Sequence, residues 1–174
     1  MKTHIIGIMA LCALPLMSCA SSVDTSTVDR FDLNKYLGIW YEVARYDHSF
    51  EKGMDNTIAQ YILQDDGTVA VINSGWKNGK YQVAEGKAKY PDPDGKPGGL
   101  KVSFFLFFYS EYNIMMVDEN YQMSLVGSKK DNYLWILSRT PEPDPALLGM
   151  MLDEAADRGD DIEKLIWVDQ SRNK

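Results

Sequence analysis

The chain has 174 residues, 45% hydrophobic and 25% charged, the composition of one globular domain large enough to bury most of the surface its unfolded form exposes. A net charge of −7 excludes nucleic acid as a natural partner. Two Cys and two His, with only His48 lying beyond Cys19, argue against a disulfide framework, a metal site or a catalytic centre built on either, and no cofactor is called for.

Residues 1–18 read as a signal peptide: Lys2 near the amino terminus, then an apolar run from Ile5 to Met17 broken late by Pro15. The run is short for a membrane span, and the chain turns polar after Ser22. Leu16-Met17-Ser18-Cys19 resembles the bacterial lipobox, which implies acylation of Cys19 and attachment to a membrane. Each buried methylene of an acyl chain contributes about 0.8 kcal/mol, so two or three chains hold far better than one. The competing reading is an ordinary secreted signal cleaved near Ala20. Ala20 after the cysteine resembles outer-membrane rather than inner-membrane lipoproteins, which places the chain in a bacterial cell envelope. Residues 19–30 are polar and suit a flexible tether, leaving 31–174 as the domain.

Short apolar segments then alternate with turns, the pattern of an all-β domain. Strands are expected at 39–46, 57–63, 69–73, 81–90, 100–105, 112–117, 123–128 and 133–139. Asp65-Asp66-Gly67 and Asn78-Gly79 make hairpin turns, and the Pro- and Gly-rich segment 91–99 is a loop. Eight strands joined this tightly form an up-and-down antiparallel sheet that can close into a barrel and leave no edge. Asp144 caps a helix with Pro145 at its first position, and Leu147, Leu148, Met151, Leu152 and Ala155 share one face, so the C-terminal α-helix packs outside the barrel. Gly159 ends it, and 165–168 form a short final strand.

Three segments carry a family resemblance. Gly38-Ile39-Trp40 is a G-x-W sequence opening the first strand; Val117-Asp118-Glu119-Asn120-Tyr121 lies between strands six and seven; Ser138-Arg139-Thr140-Pro141 closes strand eight. In this order and spacing they resemble the three motifs of the lipocalins, and the second departs by having Val117 and Glu119 where Thr and Tyr are common. Trp40-Tyr41-Glu42-Val43-Ala44-Arg45-Tyr46, Glu85-Gly86-Lys87-Ala88 and Tyr133-Leu134-Trp135-Ile136-Leu137 resemble the bacterial lipocalin and apolipoprotein D branch, with coverage from about Phe31 to Gln170. Strand one starts and strand eight ends at the closed end of such a barrel, so Trp40 and Arg139 can stack guanidinium on indole as a structural closure.

Side chains alternate between the faces of a strand, so placing Trp40 inside sets the register of the wall. The expected ligand-binding positions are Glu42, Ala44 and Tyr46; Ala59 and Tyr61; Val71 and Asn73; Val102 and Phe104; Tyr112, Ile114 and Met116; Val126; and Tyr133 and Trp135. Such a barrel either fills itself or holds one small ligand, and Ala44, Ala59 and Ser124 favour space. Phe50 and Met54 fall at the mouth, where His48 reads as a loop hydrogen-bonder. The run Phe104-Phe105-Leu106-Phe107-Phe108-Tyr109 is open to three readings: a homodimer contact, a membrane-facing lip, or local packing.

The resemblance implies a binding protein for a hydrophobic or amphiphilic molecule of the fatty acid or lysophospholipid class, in transport or storage for the envelope. An enzyme is disfavoured, since no free Cys follows Cys19 and no G-x-S-x-G sequence occurs. The other alternative is a structural or partner-binding lipoprotein with a filled barrel.

Overall fold

A computed structural model describes residues 23–105, 107–128 and 132–174. Cys19 and the whole of 1–18 lie outside the described residues. Eight antiparallel strands follow in chain order: β1 Gly38–Arg45, β2 Met54–Leu63, β3 Val69–Lys77, β4 Lys80–Lys89, β5 Gly99–Phe105, β6 Phe108–Val117, β7 Met123–Ser128 and β8 Tyr133–Ser138. Each pairs with its neighbour in sequence, and β1 pairs with both β2 and β8, so the sheet closes on itself. The turns do what their residues suggest. Asn78 and Gly79 both take positive φ, 52° and 74°, as a two-residue type I′ hairpin between Lys77 and Lys80 requires.

Two helices flank the barrel. α1, Leu33–Tyr36, is a single turn capped by the Asp32 carboxylate, and its four residues carried no periodic signal in the sequence. α2, Pro145–Asp157, is capped by Asp144, whose Oδ1 accepts from the amides of Ala146 and Leu147. Met151 and Ala155 seat fully buried against Val43, Leu125, Leu134 and Ile136 on the outer wall. A two-residue strand β9, Ile166–Trp167, adds to the upper part of β1 outside the closed ring. Beyond it, Gln170 Nε2 donates to the carbonyls of Glu42 (2.8 Å) and Thr57 (2.9 Å), stitching β1 to β2 above the point where their pairing ends.

The expected free tether over 19–30 is corrected for its described part. The amide of Asp24 donates to the Arg158 carbonyl (2.9 Å) and that of Val28 to the Ile114 carbonyl (3.0 Å). The Arg158 guanidinium returns a bond to the carbonyl of Ser26 (2.9 Å). A polar composition permits flexibility, but here the backbone of the described part finds fixed partners on the barrel, beginning with the amide of Asp24.

Candidate functional site

The closed end is built from α1 and the start of β1. Asp32 turns the chain so that Tyr36 enters the barrel, fully buried, with its ring 4.8 Å from that of Trp40. The Trp40 indole donates to the Tyr36 carbonyl at 2.8 Å. The Arg139 guanidinium lies 3.8 Å from the Trp40 ring and donates to the carbonyls of Ile39 (2.7 Å), Lys35 (2.7 Å), Leu37 (3.0 Å) and Tyr121 (3.2 Å). Gly38 takes φ +95° beneath that guanidinium, a conformation costly for any residue with a Cβ, which accounts for the glycine of the G-x-W sequence. Above this floor the Tyr112 hydroxyl sits 2.8 Å from both the Tyr36 and Tyr61 hydroxyls. Burial raises all three phenols, Tyr36 to about 12, so they stay protonated as a neutral hydrogen-bonded chain.

The upper half of the barrel is hollow, with a cavity of about 410 Å³. Glu42, Ala59, Tyr61, Val71 and Asn73 line one side, and Val102, Phe104, Tyr112, Tyr133 and Trp135 the other, all of them expected on the wall. Five expected positions are elsewhere. A β-bulge places Val43 and Ala44 together opposite Ile136, so alternation skips a step: Ala44 and Tyr46 turn outward to the α2 face and Arg45 turns in. The Tyr46 hydroxyl there accepts from the Asp161 amide (2.8 Å), and burial pushes its pKa up to about 12. A second bulge, between Ile114 and Met116, sends Met116 to the same outer cluster. Ile114 and Val126 do point inward, but into the filled part of the interior with Tyr36 and Trp40 rather than onto the cavity wall.

Phe50, in the loop between β1 and β2, and Met54, at the start of β2, were expected at the mouth and do line the cavity; Glu51 between them was not expected there. Strand parity also missed Thr57, Gln82, Val83 and Ala84. The last three line a side slot, because β4 pairs with β5 at only three rungs, Lys87 to Lys89, and splays away above them. Gly86 marks the crossing: a Cβ there would come within 2.7 Å of both the Phe104 ring and the Ser103 carbonyl. No turn or periodic signal announces a loop that folds back over a mouth, though Phe50 and Met54 were apolar residues without a strand to occupy.

A family model for the lipocalin-like domain matches residues 31–170. This chain is a lipocalin. Outer membrane lipoprotein Blc of Citrobacter freundii is 43% identical over 91% of the chain and 92% of its own length, and Blc of Escherichia coli K12 is 42% identical over 92% and 93%. Bovine apolipoprotein D is 34% identical over 82% of the chain and 78% of its own. Among solved structures, insecticyanin of the tobacco hornworm superposes with a TM-score of 0.69 at 22% identity, covering 84% of each chain, and shares the fold.

In this lipocalin part of the cavity wall is polar. Arg45, turned inward by the bulge, donates Nη1 to Glu42 Oε2 (3.0 Å) and Nη2 to the carbonyls of Glu51 (3.0 Å) and Met54 (2.9 Å), tying the mouth loop to β1. Thr57 also donates to Glu42 Oε2. Glu51, 5% exposed, receives the Trp135 indole N–H on Oε2 at 3.3 Å. Its pKa is pushed up to about 8, first by burial and then by the neighbouring Glu42 carboxylate. His48, expected to be a loop hydrogen-bonder, is instead 8% exposed with no hydrogen bond to either ring nitrogen, stacked on Phe50 at 4.1 Å. Burial and the Arg45 charge lower its pKa to about 4, so the ring is neutral at physiological pH. Phe105 (68% exposed), Phe107 (87%) and Phe108 (75%) project from the β5–β6 tip beside the mouth. Among the described residues no His, Cys, Asp and Glu cluster could hold a metal ion.

Proposed function

We propose that this lipocalin is an envelope lipoprotein, anchored in the bacterial outer membrane through acylated Cys19, that takes one single-chain amphiphile of the fatty acid or lysophospholipid class into its cavity. It acts as a carrier and not as an enzyme. The observation that carries the reading is the hollow upper half of the barrel: about 410 Å³, within the range of small-molecule sites, with aliphatic and aromatic walls and a mouth. Burial of a tail in such a wall contributes about 0.8 kcal/mol per methylene. The names of the Blc relatives support the membrane and the lipoprotein anchor, and the lipobox-like Leu16-Met17-Ser18-Cys19 agrees. Asn73 Oδ1, buried on the wall without a hydrogen-bond partner, offers an acceptor to a bound hydroxyl. The exposed Phe105, Phe107 and Phe108 tip supports the reading, since it offers an apolar contact to the acyl region from which a tail would enter.

A filled barrel with a purely structural role is disfavoured by the same cavity. The test is extraction of the acylated protein in mild detergent, followed by native mass spectrometry and titration of Trp135 fluorescence with lysophospholipid. A recurring bound lipid and a saturable signal are expected. A protein that emerges empty and gives no saturable change overturns the carrier reading.

A further inference from the structure

One seam of the barrel wall is open along much of its length. β4 pairs with β3 over nine rungs, from Ala88 to Lys80, but among the described residues it meets β5 at only three, Lys87 with Ser103, Ala88 with Val102 and Lys89 with Lys101. The strands part at Gly86, where the Phe104 ring takes the room a Cβ would need. Above it every residue from Lys80 to Glu85 is exposed, those facing the cavity as well as those facing out. In an intact wall every second residue would be covered. Val83 on one bank and Phe104, Phe105 and Phe108 on the other line the cavity and are exposed at the same time, so the cavity meets the outside here. Lys101 and Glu111, the charges at the edge of this slot, face each other at 3.5 Å. The mouth is held more tightly. Arg45 Nη2 fixes the carbonyls of Glu51 (3.0 Å) and Met54 (2.9 Å), and Phe50 stacks at 4.1 Å on the buried His48.

We propose that the slot between β4 and β5 is the ligand's entrance: its face docks on a lipid bilayer, with Phe105, Phe107 and Phe108 in the acyl layer, and one tail slides sideways into the cavity without crossing water. Three exposed Phe side chains on one bank give that face its apolar contact. Along the other bank runs the free edge of β4, whose backbone N–H and C=O groups over Lys80 to Glu85 have no strand to pair with on that side. The hydrated ester and head-group layer of a bilayer supplies partners for such an edge, which hydrocarbon could not. A tail entering by the mouth would have to displace the loop and break both Arg45 bonds, whereas the slot is open as it stands. The methylenes that pass through it exchange one apolar surrounding for another, and the polar head stays outside at the level of the free edge.

This rests on the carrier reading above, and the test separates the two. The chain from residue 19 onward with Cys19→Ser has no other cysteine, so Val83→Cys and Phe105→Cys place one thiol on each bank. Bismaleimidoethane ties the banks together, and N-ethylmaleimide on the same thiols is the control for bulk. Vesicles of dioleoyl phosphatidylcholine loaded with tail-brominated lysophosphatidylcholine deliver the lipid, and quenching of Trp135 on the cavity wall reads its arrival. Without the added cysteines, uptake should speed up in proportion to vesicle concentration, because transfer occurs on contact. Bridging should slow uptake and release together, each at least tenfold against the control, and Ala84→Phe, which plugs the slot without cysteine chemistry, should slow both as well. Uptake at a rate independent of vesicle concentration overturns the docking. Bridged and plugged proteins that load as fast as their controls overturn the slot and return the entrance to the mouth. A chain that sediments as a dimer with Val83→Cys closed to maleimide also overturns the proposal, making the slot a contact between copies. If lysophosphatidylcholine gives no saturable quenching even at equilibrium, the carrier reading itself falls.

Discussion

Replacing Arg139 with Ala removes the contact on which the closed end depends, and its cost can be worked from the geometry. The guanidinium makes four bonds to backbone carbonyls at 2.7 to 3.2 Å and covers the Trp40 ring at 3.8 Å. A charge-assisted bond contributes about 1.5–3 kcal/mol when buried, and a guanidinium over an indole about 0.5–2. Two of the four bonds face solvent and count for less, and the contributions overlap, so the expected loss is about 3–5 kcal/mol. Arg139→Lys keeps the charge without the planar fork and should recover less than half. Urea unfolding followed by Trp fluorescence measures both, and an unchanged slope would show the same extent of unfolding. Arg139 does not touch the cavity, so affinity for a bound amphiphile in the absence of urea should stay within threefold. A loss under about 1 kcal/mol, or a drop in affinity without a drop in stability, refutes the view of Arg139 as the clamp of the floor.

Stability should also report the buried acid. In the unfolded chain Glu51 loses its proton near its ordinary pKa of 4.5, whereas the native state keeps it until about 8, so the native state holds the extra proton and stability falls as pH rises between them. His48, pushed down from 6.5 to about 4, works oppositely, its contribution being lost as pH drops below 6.5, so the two nearly cancel at acid pH. From pH 6.5 to 8 Glu51 acts alone, with a slope of at most about 1.4 kcal/mol per unit; Glu51→Gln should flatten it, and an unaltered slope would mean another group is responsible. Val102→Trp, which fills the cavity from a half-buried position, should weaken lysophospholipid binding at least tenfold while the melting temperature moves only a few degrees. Trp135→Ala should weaken binding, whereas Ile136→Ala, buried against α2, should cost about 2–5 kcal/mol of stability with little change in affinity. Replacing Phe105, Phe107 and Phe108 with Ser should reduce liposome binding by the unacylated domain, and unchanged binding would remove the tip from the membrane contact.

Strand number, order and the closed end were legible because they depend on signals repeated along the chain. Asn78-Gly79 permits one kind of hairpin, Asp144-Pro145 one kind of helix start, and the distance from Trp40 to Arg139 one kind of closure. Ten of the fifteen expected wall positions also line the cavity, since parity holds wherever a strand stays regular. The misses come from places where regularity breaks without a residue that announces it. Neither bulge contains a glycine: Val43-Ala44 and Met115-Met116 are apolar pairs that read as uninterrupted strand, and both faces of these strands are buried, so hydrophobicity could not reveal the slip. α1 was invisible because one turn is too short for a period.

The bulge in β1 does more than move Ala44 and Tyr46 outward. With strict alternation Glu42 would face the interior and Arg45 the α2 surface, leaving a carboxylate inside without its partner. The extra residue brings positions 42 and 45 to the same side, so the carboxylate and guanidinium pair at 3.0 Å under 5% exposed Glu51. The two N–H groups of Nη2 then reach the carbonyls of residues 51 and 54, and these draw the mouth loop down over the cavity. That loop is what delivers Phe50 and Glu51 to the wall. Removing the charge alone, as in Arg45→Met, would strand Glu42 and free the loop together, so it should cost about 3–5 kcal/mol and widen the mouth. Pairing it with Glu42→Leu should restore much of the stability but not the loop, because the two carbonyls remain without donors. Hydrogen exchange at the amides of Glu51 and Met54 would separate these outcomes, and full reprotection in the double variant would show that the bulge serves strand packing rather than the site.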